Sequence, residues 1–188
     1  MKFYSLAFHA TSKLFSLHPF SGSLLGRQVA VYSHPSGSQE EVAEKVRHAL
    51  ELCNNPYRLA PSVAYPVESR AEIGLIDEGQ LATRMVRLCR TNFFLARWYA
   101  GFRSPTFDCA SVAIQHFRNS VVGEQKTLCL PRALFAAKTS RRFSDEGVVF
   151  IGAFLPSRSM HAWVIEGGRQ PDPLDFQWTN FRPVAAIG

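Results

Sequence analysis

Residues near the carboxyl end of this 188-residue chain have the types and the order that nucleophilic catalysis requires. Cys129 opens "CLPRALFAAK", His161 opens "HAWVIEGG", and Asp172 and Asp175 follow in "RQPDPLDF". A thiol, an imidazole that takes its proton and a carboxylate that orients the imidazole together form a nucleophile, base and orienter. We therefore expect a cysteine nucleophile here if folding brings these side chains together.

The sequence around Cys129 predicts the start of a helix. Pro131 is tolerated in a helix only in the first turn, which fixes the helix start within a residue or two of Cys129. Unpaired N–H groups and the positive end of the helix dipole favour a thiolate there, and Arg132 adds positive charge. By itself this pattern also fits a structural cysteine.

The pair Gly167-Gly168 predicts a two-residue turn after the strand that carries His161. In that register Asp172 lies diagonally across from His161 on the same face of the hairpin. A three-residue turn would shift the pairing by one and set Asp175 opposite His161. We prefer Asp172 as the orienting acid and keep Asp175 as the alternative.

Apolar periodicity predicts the elements that must position these residues. We expect three short strands within residues 2–32, helices over 38–54, 77–99 and 129–138, a turn and a helix within 104–123, a strand over 147–155, and a hairpin of 160–166 with 169–176. Ser38 is predicted to cap the first helix. An apolar stripe on the second helix consists of Leu81, Met85, Leu88, Leu95 and Tyr99. His116 is predicted to be a core or half-buried histidine.

The fold class predicted is α+β, in two parts. Residues 1–60 form a small module, residues 61–76 connect, and residues 77–188 form the domain that carries the candidate site. Hydrophobic content of 46% with 19% charged residues excludes a disordered chain. No apolar run approaches the length of a membrane span. We expect no signal peptide and a cytoplasmic protein with reduced thiols.

The charge and the cysteine spacing limit the classes of ligand. The four cysteines include no CxxC pair, so no zinc site is expected. The net charge is +6, and residues 84–142 hold eleven Lys and Arg against two acids. That segment is either a solvated basic face or a docking surface for an anionic partner.

Three sequence elements resemble the lasso-peptide B proteins, the leader peptidases of lasso-peptide biosynthesis. The family has a Cys-Leu-x-Arg helix start, an apolar strand with a glycine, and a His-Ala-Trp-Val strand ending in Gly-Gly. The matching residues here are Cys129, Leu130, Arg132, Ile151, Gly152, His161, Ala162, Trp163 and Val164. The position of the family's aspartate falls on Pro173, which leaves both Asp172 and Asp175 open.

The resemblance implies a transglutaminase-like (papain-like) cysteine peptidase domain behind a winged-helix-like, PqqD-like leader-recognition module. Cys129 would be the nucleophile, His161 the general base and then acid, and Asp172 the orienter. The substrate would be the leader region of a ribosomally made precursor peptide. An asparagine-synthetase-like macrolactam synthetase would be the partner and would use the ATP and Mg²⁺. This chain itself would bind no cofactor, no metal, no nucleic acid and no membrane.

Two other functions fit parts of the sequence. A transglutaminase-like amidase or acyltransferase would keep the Cys-His-Asp triad and act on another substrate. A non-enzymatic basic binding module would show salt-sensitive nucleic-acid binding and no thiol reactivity at Cys129. For the peptidase, the second donor to the oxyanion stays open between Gln115 and Gln125.

Overall fold

The structure is a computed structural model that describes residues 3–9, 14–20, 29–32, 39–54, 75–154, 157 and 159–188. The helices are α1 Gln39–Asn54, α2 Leu75–Thr91, α3 Phe93–Gly101, α4 Ala110–Ser120, α5 Cys129–Thr139 and α6 Phe143–Glu146. The strands are β1 Phe3–His9, β2 Leu14–Phe20, β3 Val29–Tyr32, β4 Gly147–Phe154, β5 Ser159–Glu166 and β6 Arg182–Ile187. The predicted α+β class is confirmed.

The strands form one mixed sheet in the order β1-β2-β3-β6-β4-β5. Neighbouring strands are antiparallel except β3 and β6, which run parallel with Ala30 beside Ala185. Sequence analysis did not predict β6, which joins the N-terminal strands to the strands around the candidate site. The predicted connector lies almost wholly outside the described residues, so the domain boundaries stay a prediction.

Helices cover both faces of the sheet, because side chains alternate between the faces along each strand. One face carries Val148, Phe150, Trp163 and Ile165, and α1 packs on it through Val46, Ala49 and Leu50. The opposite face carries Val149, Ala162 and Val164, which pack in one buried cluster with residues of α2, α4 and α5. Strands with apolar residues on both faces therefore have a helical layer on each side.

Helix α5 packs against α2, α3, α4 and strands β4 and β5, and it begins at Cys129, where the sequence predicted a helix start. Pro131 occupies its first turn, and every residue from 131 to 139 is buried. Its N-cap residue Leu128 makes no side-chain capping bond to the first turn. Cys129 therefore lies at an uncapped helix N-terminus. None of the described helices has the length and apolar character needed to cross a membrane.

The predicted helix over 77–99 is wrong in one respect, because it is interrupted at Asn92. Asn92 is extended, and its side-chain oxygen accepts a 3.1 Å hydrogen bond from the Leu95 N–H, which starts α3 anew. Asparagine competes for backbone N–H groups in this way and favours helix caps. The break changes the helical register, so Leu95, predicted on the buried stripe, is 45% exposed. The predicted cap Ser38 lies outside the described residues.

Candidate active site

The fold brings Cys129 and His161 together. The Cys129 thiol lies beside the His161 ring and the Ala162 backbone N–H, and both interactions favour its thiolate form. Ala162 belongs to β5, the edge strand of the sheet, so its backbone is accessible to the start of α5. A helix N-terminus and a sheet edge thus meet at the sulfur atom.

Asp175 holds the other side of the imidazole. Nε2 of His161 lies 2.7 Å from Oδ2 and 2.9 Å from Oδ1 of Asp175, whose side chain is buried. The remaining ring nitrogen, Nδ1, is left for the Cys129 thiol. The ring is also packed against Phe181, with centroids 4.9 Å apart, and against Trp163 at 6.1 Å. These contacts give the ring one orientation.

Gly152 explains how the Trp163 ring reaches that position. It pairs with His161 across β4 and β5. A Cβ atom at Gly152 would lie 2.6 Å from the Trp163 ring and 2.9 Å from the Arg182 carbonyl oxygen. The missing side chain therefore makes room for Trp163, on which the His161 ring stacks.

The predicted contact between Asp172 and His161 is not made, and Asp175 takes that place. Gly167 and Gly168 do form a two-residue turn, with φ of 57° and 70°, and Glu166 bridges to Arg169. Strand pairing ends at that bridge, however. The cross-strand register therefore cannot be extended to Asp172, and Asp175 reaches His161 from a loop.

Asp172 is buried and bound to two arginines instead. Its carboxylate lies 2.7 and 2.9 Å from Nη1 and Nη2 of Arg118, and 3.0 Å from Nε of Arg132. Arg118 comes from α4 and Arg132 from α5. Arg132 Nη2 is also 3.8 Å from Asp175 Oδ2. Asp172 therefore links the loop to both helices.

The electrostatics favour a thiolate–imidazolium pair. Burial alone would raise the pKa of Cys129, but hydrogen bonds from His161 and Ala162 and the charges of His161 and Arg132 lower it below 9.0. Burial alone would lower the pKa of His161. Hydrogen bonds to Asp175 and Cys129 and their negative charges instead raise it from 6.5 to about 9. Each member of the pair stabilises the charged form of the other.

Cys89 and His116 do not share the electrostatics of the pair. Burial is the main cause that raises the pKa of Cys89 from 9.0 to about 12, and the negative charge of nearby Cys129 adds to it, so this thiol stays protonated. Burial also lowers the pKa of His116, whose ring stacks 6.4 Å from Phe135. His116 is half-buried in the helical layer and lies against Phe107 as well. This agrees with the prediction of a core or half-buried histidine.

Sequence reasoning missed several contributors to the site. Nothing in the residue pattern indicated that the Ala162 N–H and the Phe181 ring would contact the site. Nothing indicated the ion pair between Arg118 and Asp172 either. Arg132 was considered only for its charge, although its spacing of one helical turn from Cys129 was visible. Of the two predicted oxyanion donors, Gln115 is exposed, and its side-chain nitrogen lies 3.5 Å from the side-chain oxygen of Asn119. Gln125 is half-buried.

Comparison of the chain with family models, with curated proteins and with solved structures finds no match. Within the described ranges, no group of three or more His, Cys, Asp or Glu side chains could hold a metal ion.

Proposed function

We propose that this chain is a cysteine peptidase that removes the leader from a lasso-peptide precursor, acting with an ATP-dependent macrolactam synthetase. Cys129 is the nucleophile, His161 the base and acid, and Asp175 the orienting carboxylate. The substrate and the partner are inferred from the sequence elements around Cys129, Gly152 and His161. The chemistry is inferred from the site.

The observation that carries the proposal is the contact of Cys129 with an imidazole that Asp175 holds from its other side. A cysteine with a lowered pKa beside a histidine with a raised one is the usual state of an activated thiol nucleophile. Perturbed pKa values concentrate at functional sites. A basic binding module would need neither, so the enzyme is favoured over that alternative.

The reaction proceeds through a thioester. The Cys129 thiolate attacks the carbonyl carbon that precedes the core peptide, and the carbonyl oxygen becomes an oxyanion. As the C–N bond breaks, protonated His161 gives its proton to the departing amine, and the leader stays on sulfur as a thioester. Neutral His161 then takes a proton from water as the water attacks the thioester, which releases the leader carboxylate and regenerates the pair.

Backbone donors at the start of α5 suit the oxyanion. Cys129 is the first residue of the helix, and Leu128 provides no capping side chain. The Cys129 N–H and the positive helix end would therefore stabilise developing negative charge. Gln125, in the turn of residues 123–127 before α5, is our preferred second donor because Gln115 is exposed.

Apolar side chains around the site suit a peptide substrate. Met160 precedes His161, and Leu174 and Phe176 flank Asp175; all three are exposed. Exposed Phe154 contacts Phe181, whose ring lies on His161. Large apolar side chains that stay exposed next to catalytic residues suit a binding surface. We propose that they contact apolar residues of the precursor near the scissile bond.

The N-terminal part would hold the leader. We propose that residues 1–60 are the PqqD-like recognition module and that the leader adds a strand to a sheet edge. Residues 77–188 would carry the transglutaminase-like peptidase site, on a sheet that continues into β1 to β3. The free thiols of Cys89, Cys109 and Cys129 suit the reducing cytoplasm in which we place the protein.

Mass spectrometry of a candidate precursor tests this function. The precursor is incubated with the chain, with and without the synthetase, and we expect release of an intact leader. Cys129→Ala should reduce leader release at least about 1,000-fold, because the nucleophile is lost, and should leave precursor binding nearly unchanged. Cys89→Ala is the matched control, since it removes a half-buried thiol that stays protonated.

Two outcomes would overturn the proposal. Leader release by Cys129→Ala would exclude the assigned nucleophile. Absence of release by the wild-type chain with the synthetase present, combined with a reactive Cys129, would favour the amidase or acyltransferase alternative.

A further inference from the structure

We propose that Asp172 is a positioning residue that, clamped by Arg118 and Arg132, sets the loop that delivers Asp175 to His161. This rests on the proposed function only in that Asp175 acts through His161 on Cys129. It gives Asp172 a role other than contact with the imidazole. We call Asp172, Arg118 and Arg132 the clamp.

The clamp fixes the loop to the helical layer at both oxygens of Asp172. Arg118 donates a 2.9 Å hydrogen bond from Nη2 to Oδ2, and its Nη1 lies 2.7 Å from Oδ1 as an ion-pair contact without hydrogen-bond geometry. Arg132 adds its Nε 3.0 Å from Oδ2. A two-pronged arginine–carboxylate contact defines orientation as well as distance. The side chains of all three residues are at most 13% exposed.

Asp172 also shapes the loop locally. Its Oδ1 accepts the Leu174 N–H at 3.1 Å, and its carbonyl oxygen accepts the Asp175 N–H at 3.1 Å. Its own N–H donates to Gln170 Oε1 at 2.8 Å. Asparagine and aspartate side chains form this kind of turn with the backbone two residues on. The turn carries the chain from the clamp to Asp175.

Arg132 connects the clamp to the reacting group. It belongs to α5, one helical turn after Cys129, and its Nη2 is 3.8 Å from Asp175. The same helix therefore carries the nucleophile and holds the loop that orients the base. Any shift of the clamp changes the placement of Asp175 relative to Cys129.

Stability alone is a poor explanation of the clamp. Burying three charged side chains costs desolvation energy, and the attraction between them often does not exceed that cost. Apolar residues of similar size in the same place frequently give a protein of equal or greater stability. Arginine is also required by geometry, since lysine cannot make the two-pronged contact. A device that fixes a catalytic carboxylate accounts for the arrangement better.

The test measures alkylation of Cys129 by iodoacetamide, which needs no peptide substrate. We expect Asp172→Asn to slow alkylation at pH 7 about 10- to 100-fold, as misplacement of a catalytic group by about 1 Å does. The pH midpoint of alkylation should rise as well. Asp108→Asn is the matched control, because Asp108 forms an exposed ion pair with Arg141 at 3.6 Å. This variant should change neither the alkylation rate nor the pH midpoint.

A second variant covers the case in which Asp172→Asn fails to fold. Arg118→Lys keeps the charge and removes the two-pronged contact, and Arg118, unlike Arg132, is absent from the charges that act on Cys129. We expect Arg118→Lys to slow alkylation at pH 7 about 10-fold. Thermal unfolding of each variant measures the folded fraction.

Non-additivity separates positioning from a general structural role. If Asp172 acts through Asp175, the double variant Asp172→Asn/Asp175→Asn should be no slower than Asp175→Asn alone. Additive losses, or unchanged alkylation in folded Asp172→Asn and Arg118→Lys, would overturn the proposal. The alkylation rate is measured without a precursor peptide. A result that overturns the role of Asp172 can therefore be distinguished from a result that overturns the proposed leader cleavage.

Discussion

At the scale of single residues, the imidazole of His161 determines what the site can do. It sits between a carboxylate 2.7 Å away and a thiol at the start of a helix, and the two negative groups together raise its pKa to about 9. A protonated imidazole can supply the proton that the departing amine needs. The same charge keeps Cys129 ionised.

Asp175→Asn should lower the pKa of His161. The variant removes the negative charge that, together with Cys129, raises this pKa from 6.5 to about 9, while the burial that lowers the pKa remains. The amide oxygen can still accept a hydrogen bond, but a neutral acceptor stabilises the imidazolium less. A folded-state pKa above the unfolded value means that protonated His161 stabilises the fold below about pH 6.5, and this contribution is lost as the pH rises through about 9. NMR titration of the His161 ring should show the wild-type midpoint near pH 9 and a lower one in the variant.

The control for this titration is Asp108→Asn, an exposed acid on the loop before α4. It should leave the His161 midpoint unchanged. Equal midpoints in wild type and Asp175→Asn would mean that the carboxylate does not act on the ring.

At the scale of elements, local signals predicted those parts of the site that local chemistry determines. Pro131 placed the start of α5, and Gly167-Gly168 placed the turn after β5. Local signals could not decide whether Asp172 or Asp175 orients His161, because the loop that carries both is held by arginines from α4 and α5. Strand β6 was missed because its pairing with β3 joins residues far apart in the chain.

Gly152→Ala tests how β4 supports β5. The added methyl group would overlap the Trp163 ring and the Arg182 carbonyl, so we expect the free energy of unfolding to fall by about 1–3 kcal/mol. Displacement of Trp163 should also slow alkylation of Cys129. Chemical denaturation measures the first effect.

Gly79→Ala is the matched control, since the nearest atom to its added methyl group is 4.0 Å away. In the middle of α2 this change should raise stability by about 0.5–1 kcal/mol. A Gly152→Ala protein as stable as wild type would contradict the packing role of the glycine.

At the scale of the whole molecule, one sheet contains strands from both predicted parts. One of its hydrophobic clusters also contains residues from both parts. Residues of α1 cover the face that carries Trp163, and Lys45 of α1 donates a 2.9 Å hydrogen bond to the Ser144 carbonyl. The basic segment is also partly internal. Arg118, Arg132 and Lys138 are tied to partners within the fold, whereas Arg84, Arg87 and Arg90 remain exposed.

A chain that starts at residue 75 should not form a stable peptidase. It lacks α1 and β1 to β3, so Val148, Phe150 and Trp163 lose the cover of Val46, Ala49 and Leu50. Exposure of such a face favours aggregation. Near-ultraviolet circular dichroism should show no fixed tryptophan environment in this fragment. Cooperative unfolding with a reactive Cys129 would contradict the shared core.

The central claim is that Cys129 and His161 form an ion pair at neutral pH. The most direct measurement is the rate of Cys129 alkylation against pH, with each cysteine followed by peptide mass spectrometry. In the wild type, Cys129 should react below pH 9 while Cys89, with a pKa of about 12, does not. His161→Gln should raise the Cys129 midpoint above that of the wild type, because the burial that raises this pKa is then opposed only by the Ala162 N–H and Arg132. A wild-type midpoint at or above pH 9 that His161→Gln leaves unchanged would contradict the account.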